Sequence, residues 1–204
     1  MTELPVVQDA PPERADAARN RGKVLAAAER LVAECGASCV SMDAVAGEAG
    51  VGKGTLFRRF GDRAGLMQAV LSERERLFQE EVIRGPAPLG PGAPPVERLI
   101  AFGQRLLRHH ADYGELLAAA EAAGARYRSA PFAFYRTHVS VLVREAAPDA
   151  DWEYLTDVLL AALGAEHLAY LERVRQMDHE RVAAGWADLV RRVVGRPPAD
   201  VSDR

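Results

Sequence analysis

The sequence is poor in the features that mark several large protein classes. It has no apolar run approaching the ~18 residues that a membrane span needs, and its first residues lack a basic-then-apolar leader. A cytoplasmic protein with no membrane partner is therefore expected. A basic excess is also missing, since the net charge is −3. Any binding of nucleic acid must then come from a local patch. Cysteine is scarce: Cys35 and Cys39 are the only two. No second Cys or His pair lies nearby to complete a zinc site, so the two are expected to be small apolar fillers in a reducing compartment. The five histidines are dispersed. No Ser-His-Asp or Cys-His pair sits in a recognisable motif, so no enzyme activity, metal or cofactor is expected. Strand-like alternation is absent as well, which leaves an all-α chain.

The 204 residues are 27% charged and 49% hydrophobic, the mixture of an ordinary globular protein with a sizeable core. About nine helices are expected. Residues 1–13 form a flexible tail. The first helix runs from about Asp16 to Cys35, with Val24, Leu25, Ala28, Leu31, Val32 and Cys35 on one face. Asp62 caps a fourth helix reaching about Arg84, and the proline-rich stretch Gly85–Pro95 ends it. A fifth helix extends to about His110, a sixth covers Tyr113 to Ala123, and a seventh follows Pro131 to Ala147. The eighth starts at Asp151, the ninth covers Asp178 to Val194, and the residues beyond should fray.

The stretch from Ser41 to Arg63 carries the chemistry. Ser41 suits a helix N-cap, Asp43 suits the positive end of that helix, and Gly50 lies where a left-handed residue would close it. A second short helix starts near Lys53. Met42, Val45, Ala46, Ala49, Val51, Leu56 and Phe60 can share a small core, leaving Lys53, Thr55, Phe57, Arg58 and Arg59 to face outward. From Val51 to Ala64 there are four basic residues and one acid, Asp62. A cationic helix held by an apolar one is the layout of a helix-turn-helix that enters a major groove.

Gly47-Glu-Ala-Gly-Val-Gly-Lys-Gly-Thr55 also spells a nucleotide-kinase phosphate loop. Such a loop must follow a buried strand and open a helix, and Ser41 to Ala46 contain no strand-like run. A P-loop phosphotransferase and an all-helical protein-interaction module are the alternatives to a DNA-binding protein.

The run Ala46-Gly-Glu-Ala-Gly-Val-Gly-Lys-Gly-Thr-Leu-Phe-Arg-Arg-Phe-Gly-Asp-Arg63 resembles the DNA-reading motif of the tetracycline-repressor (TetR) family, and residues 20 to 66 carry the likeness. The resemblance implies a helix-turn-helix domain over 14–62 and a helical effector-binding and dimerisation domain over 63–204. Two residues depart from the family pattern: Gly52 replaces a capping Ser, and Arg59 replaces a common His. Phe57 stands for the commoner Tyr, so a hydroxyl-to-phosphate bond is lost.

Roles follow from residue chemistry. Lys53, Arg58, Arg59 and Arg63 are cations for phosphates, and one Arg could instead take guanine through its paired N–H groups. Thr55 and the Phe57 ring could touch a thymine methyl. The resemblance adds Ser41 and the backbone of Gly54 as phosphate contacts. Arg21, among the basic residues at the start of the first helix, is either an arm along phosphates or part of a solvated helix end. One helix-turn-helix reads too few base pairs, so a homodimer on a double-stranded DNA operator with paired half-sites is expected.

The family likeness further implies a small-molecule effector, largely apolar, whose binding releases a repressor from its operator. Phe102, Leu106, His110, Tyr113, Tyr127, Phe134, Tyr135, His138, Trp152, Leu155 and Leu159 suit an apolar pocket with polar anchors, and His167 joins them. The dimer is expected to pair helices eight and nine with their copies through Tyr154, Val158, Ala161, Ala165, Leu168, Val182, Trp186, Leu189, Val190 and Val193.

Overall fold

The computed structural model describes residues 15–121 and 126–195. The expected tail, the end of the expected sixth helix and the expected frayed terminus beyond residue 195 lie outside them. Nine α-helices occur among the described residues, with no strand: α1 Ala15–Cys35, α2 Met42–Ala49, α3 Lys53–Phe60, α4 Arg63–Arg84, α5 Pro95–Glu121, α6 Ala130–Ala146, α7 Trp152–Ala162, α8 Ala165–Arg173 and α9 His179–Val194. A one-turn 3-10 helix, Ala37–Cys39, stands between α1 and α2. With no strand before Gly47, the phosphate-loop spelling has no βαβ unit to serve. No described helix is long and apolar enough to cross a membrane.

The chain divides into two compact units between Phe78 and Gln79. In the N-terminal unit, α1 packs on α2 and α2 on α3. Val24, Leu25, Ala28 and Val32 of α1, Val45 and Ala46 of α2, and Leu56 and Phe60 of α3 are buried. Leu66, Met67 and Val70 of α4 are buried in the same unit. Each large apolar side chain so buried contributes roughly 1.5–3 kcal/mol. Two ion pairs tie the helices across the unit: Arg30 to Glu48 at 2.9 Å and Arg74 to Glu29 at 2.8 Å. Glu29 is half-buried, and burial holds its carboxyl above the usual range despite Arg74.

In the C-terminal unit, α5 packs on α6, α8 and α9, and α6 packs on α7. Leu99, Phe102, Leu106, Phe134, Val139, Leu142, Leu159, Leu160, Leu163 and Val190 are buried in its core. Trp186 of α9 is buried, and its indole N–H donates to the carbonyls of Leu99 and Ile100 at 3.2 Å each. A β-carbon at Gly103 would collide with that indole, so glycine is what lets α9 approach α5.

Two helix boundaries differ from expectation. The expected fifth and sixth helices are one, Pro95–Glu121. Nothing between His110 and Tyr113 breaks a helix, and Gly114 costs only about 1 kcal/mol. The expected eighth helix is two, because the chain turns at Leu163–Gly164. Arg126 donates to the carbonyl of Leu160 at 2.8 Å, satisfying a backbone acceptor at the end of α7. A β-carbon on Gly164 would run into that guanidinium.

Candidate nucleic-acid interface

The helix-turn-helix is built by local signals. Ser41 Oγ accepts from the amide of Ala44 at 3.1 Å and starts α2. Gly50 closes it at φ 66°, a left-handed conformation that glycine adopts without strain. Gly52 precedes α3 and offers no side-chain cap, as the missing Ser implies. Asp62 Oδ1 then accepts from the amide of Gly65 at 2.8 Å and starts α4. Leu56 and Phe60 turn inward from α3, so Phe60 is core.

The outward face of α3 is cationic. Lys53, Gly54, Thr55, Phe57 and Arg58 are all exposed, Phe57 at 48%. Lys53 pairs with Asp43 at 2.7 Å, both side chains well in solvent, where such a pair contributes at most about 1 kcal/mol. Arg58 is exposed with no ion-pair partner among the described residues. Arg59 is half-buried, with its Nε out of solvent. Arg21 of α1 lies with its guanidinium 5.9 Å from the centre of the Phe60 ring, which sets it beside α3. Ser41 is exposed and engaged as the α2 cap.

Arg63, exposed at the start of α4, also makes contacts within its own unit. Its Nε donates to the carbonyl of Val40 at 2.7 Å and its Nη2 to that of Ala37 at 2.6 Å. It ties the first residue of α4 to the turn that leads into α2. Sequence reasoning missed this, because the acceptors are backbone atoms more than twenty positions away.

The expectation for the cysteines needs a correction. Both are exposed and reduced, so neither fills a core. They stand where α1 ends in solvent, at Gly36 with φ 84°.

Among the residues assigned to an effector pocket, Phe102, Leu106, His110, Tyr113, Phe134, Tyr135, His138 and Leu159 are buried. Phe102 lies 5.6 Å from Tyr135 and 5.2 Å from His138 between ring centres, and His138 stacks on Phe134 at 6.3 Å. His109 links His110 and Tyr113 at 6.3 and 5.6 Å. Burial pushes both His110 and His138 down to about 3, helped by His109 and Arg126 beside the first and by Arg98 beside the second. Both are neutral imidazoles, and His110 Nδ1 and His138 Nε2 are buried with no hydrogen-bond partner among the described residues. Trp152 and Leu155 are half-buried, while Tyr127 is 64% exposed, edge-on to Phe132 at 5.1 Å. His167 lies elsewhere, lining a cleft of about 580 Å³ with Leu168, Leu171, Val182, Trp186 and Leu189.

The ten residues assigned to a dimer face do not share one surface. Tyr154, Val158 and Ala161 are exposed on α7, while Ala165, Leu168, Val182, Trp186 and Val190 are buried within their own chain. Leu189 and Val193 are half-buried.

A short capped helix presenting a second cationic helix is a helix-turn-helix, the DNA-reading unit of a regulator. Comparison with known proteins points the same way. Residues 24–70 match the family model for bacterial regulatory proteins, tetR family. No curated protein matches the sequence. Among solved structures, a TetR-family transcriptional regulator from Pectobacterium atrosepticum is 20% identical, covering 91% of this chain and 100% of that one at a TM-score of 0.64. A TetR-like transcriptional regulator from Rhodococcus sp. RHA1 is 22% identical, covering 92% and 100% at 0.56. The regulator FadR from Bacillus subtilis, in complex with stearoyl-CoA, is 15% identical, covering 86% and 99% at 0.58. At these identities the likeness is one of fold. The match to the tetR family lies within the N-terminal unit, over residues 24–70.

Proposed function

We infer that the protein is a homodimeric repressor that reads a near-palindromic operator with α3 and is released by a largely apolar small molecule. The single observation that carries the DNA half is the outward face of α3, where Lys53, Thr55, Phe57 and Arg58 stand in solvent on a helix locked from behind by Leu56 and Phe60. Arg58, unencumbered by an acid, is the cation best suited to a guanine edge or a phosphate. Lys53 reaches a phosphate after leaving Asp43. The exposed Thr55 hydroxyl and Phe57 ring suit a sugar-phosphate contact and a thymine methyl.

Twofold recognition needs a second copy, which places two reading helices about 34–36 Å apart on one face of the duplex. Tyr154 and Val158 on α7, with Tyr170 and Val174 at the end of α8, are large apolar side chains left in solvent. They are the area that a partner copy would cover.

The effector half rests on the interior of the C-terminal unit. Phe102, Phe134 and Tyr135 supply an apolar lining, and the unpartnered nitrogens of His110 and His138 are buried polar atoms that a ligand can satisfy. The fold houses such ligands elsewhere, as FadR with stearoyl-CoA illustrates. An effector lowers DNA affinity only by the difference in its affinity for the two arrangements of the dimer.

The test is selection of bound sequences from a random duplex pool, repeated with fatty acyl and aromatic compounds present. Enrichment of a sequence with two related half-sites, lost with one class of compound, is the expected result. Failure to enrich any sequence at low salt would overturn the DNA reading.

A further inference from the structure

Cys35 and Cys39 occupy an unusual position for thiols with no assigned duty. Both are solvent-exposed. Cys35 is the last residue of α1, and Cys39 is the last residue of the 3-10 turn that follows. Gly36 between them bends the chain at φ 84° and ψ 165°, bringing the second cysteine back over the end of the helix. The Cys39 Sγ donates to the carbonyl of Cys35 at 2.7 Å, and the Cys35 Sγ donates to that of Leu31 at 3.3 Å. The two thiols also interact directly. The Cys39 side chain is the first cause of a raised Cys35 thiol, with Glu34 adding in the same direction. A raised thiol carries less thiolate, which makes Cys35 the poorer first nucleophile.

The same turn is a structural anchor. Arg63 lands its two N–H donors on Ala37 and Val40, inside and immediately after the stretch that the cysteines bracket. Arg63 opens α4, three positions beyond the last residue of α3. A change in the turn is therefore felt at the carboxyl end of the reading helix within the same compact unit.

We propose that Cys35 and Cys39 form an intramolecular disulfide when a hydroperoxide oxidises them, and that this modification weakens DNA binding by moving the turn that holds Arg63. In the first step the Cys39 sulfur attacks a peroxide oxygen. An S–O bond forms, the O–O bond breaks, and with hydrogen peroxide one water leaves. In the second step the Cys35 sulfur displaces the hydroxyl from the resulting sulfenic acid, forming the S–S bond as a second water leaves. The two thiols lose two hydrogens and two electrons, and the peroxide oxygens gain them. The product can donate no hydrogen bond from either sulfur, so the bonds to Leu31 and Cys35 carbonyls vanish together. The sulfurs must also close to about 2.05 Å, well inside hydrogen-bonding distance. Ala37, the acceptor of Arg63 Nη2, lies in the loop that the new bond would close, so closure acts on the segment that holds Arg63. A thiol pair of this kind is reversible, which suits sensing rather than construction.

The DNA half of this proposal rests on the helix-turn-helix reading, whereas the disulfide half does not. The experiment treats the full-length protein with hydrogen peroxide, alkylates the remaining thiols, and reads intact and peptide masses without reductant. Operator affinity is measured in parallel on reduced, oxidised and re-reduced protein. Cys35→Ser and Cys39→Ser are the controls, conservative changes at exposed positions whose helicity is checked by circular dichroism. The expected result is a Cys35–Cys39 cross-link in the monomer, about tenfold weaker binding on oxidation, full recovery on reduction, and no redox response in either variant. Failure of the cross-link to form, its formation only between chains, or a cross-link that leaves affinity unchanged would overturn the proposal. A reduced protein that binds no duplex overturns the DNA reading and the regulatory half together, and the masses alone then decide the disulfide.

Discussion

Arg63 reaches back from the first residue of α4 and donates to the Val40 carbonyl at 2.7 Å, twenty-three positions earlier in the chain. A second donation, to Ala37 at 2.6 Å, makes the guanidinium a two-pronged brace. Arginine suits this task because its donors sit in a fixed fork. Arg63→Ala should destabilise the N-terminal unit by about 1–2 kcal/mol, and Arg63→Lys should recover only part of that. Urea unfolding followed by circular dichroism would check it. An unchanged midpoint for the alanine variant would show that the brace contributes nothing.

Arg58 stands in solvent on α3. Arg58→Ala should weaken operator binding and lower the slope of log affinity against log salt by about one, if the lost contact is to a phosphate. If the contact is to guanine, the slope holds and discrimination at one base pair falls. The dimer should be unaffected, as sedimentation would show. Affinity within a factor of two of the parent under all salts would remove Arg58 from the reading surface.

Trp186 is buried in its own chain rather than displayed. Trp186→Ala should cost about 3–5 kcal/mol of C-terminal stability through lost packing and the cavity left behind. Gly103→Ala tests the same contact from the other side, since the added methyl meets the indole. About 1–3 kcal/mol of overpacking is expected there. Thermal unfolding of both variants gives the answer, and a parent-like Gly103→Ala curve would mean that α5 and α9 are more loosely joined than the structure has them.

His110 and His138 make stability depend on pH. Each is held at about 3 in the folded chain against an ordinary 6.5. The unfolded state therefore binds more protons below pH 6.5, and the folded state loses stability as pH falls toward 3. Each histidine adds a slope of up to about 1.4 kcal/mol per pH unit in that window. His138→Phe, set among Phe102 and Phe134, should flatten the decline between pH 7 and pH 5 in urea titrations. An equally steep decline in the variant would place the proton elsewhere.

The helix-turn-helix was legible because its signals are local. A cap at Ser41, a left-handed glycine at position 50, inward residues at Leu56 and Phe60, and a second cap at Asp62 each act within a few positions of the residue itself. What escaped the sequence depends on partners far along the chain. The end of α7 carries a bond from Arg126 to the Leu160 carbonyl thirty-four positions on. The burial of Trp186 needs the space that Gly103 leaves on a helix more than eighty positions earlier. An apolar stripe on α9 looks alike whether it meets its own α5 or a second chain. The cysteines misled for a related reason: their spacing continues the inward face of α1, but α1 ends there in solvent.

Asp43 remains to be reckoned with. A carboxylate placed 2.7 Å from Lys53 sets a toll on every stretch of duplex that the protein meets. Casual encounters must separate the ions and then tolerate a repelled acid near the phosphates. A matched sequence, held also by contacts from Arg58 and its neighbours, can meet that toll. The cost is the same on any sequence, so the pair lowers affinity for matched and unmatched duplex alike. In a molecule whose overall charge is already negative, it would shorten the time lost on the rest of the genome.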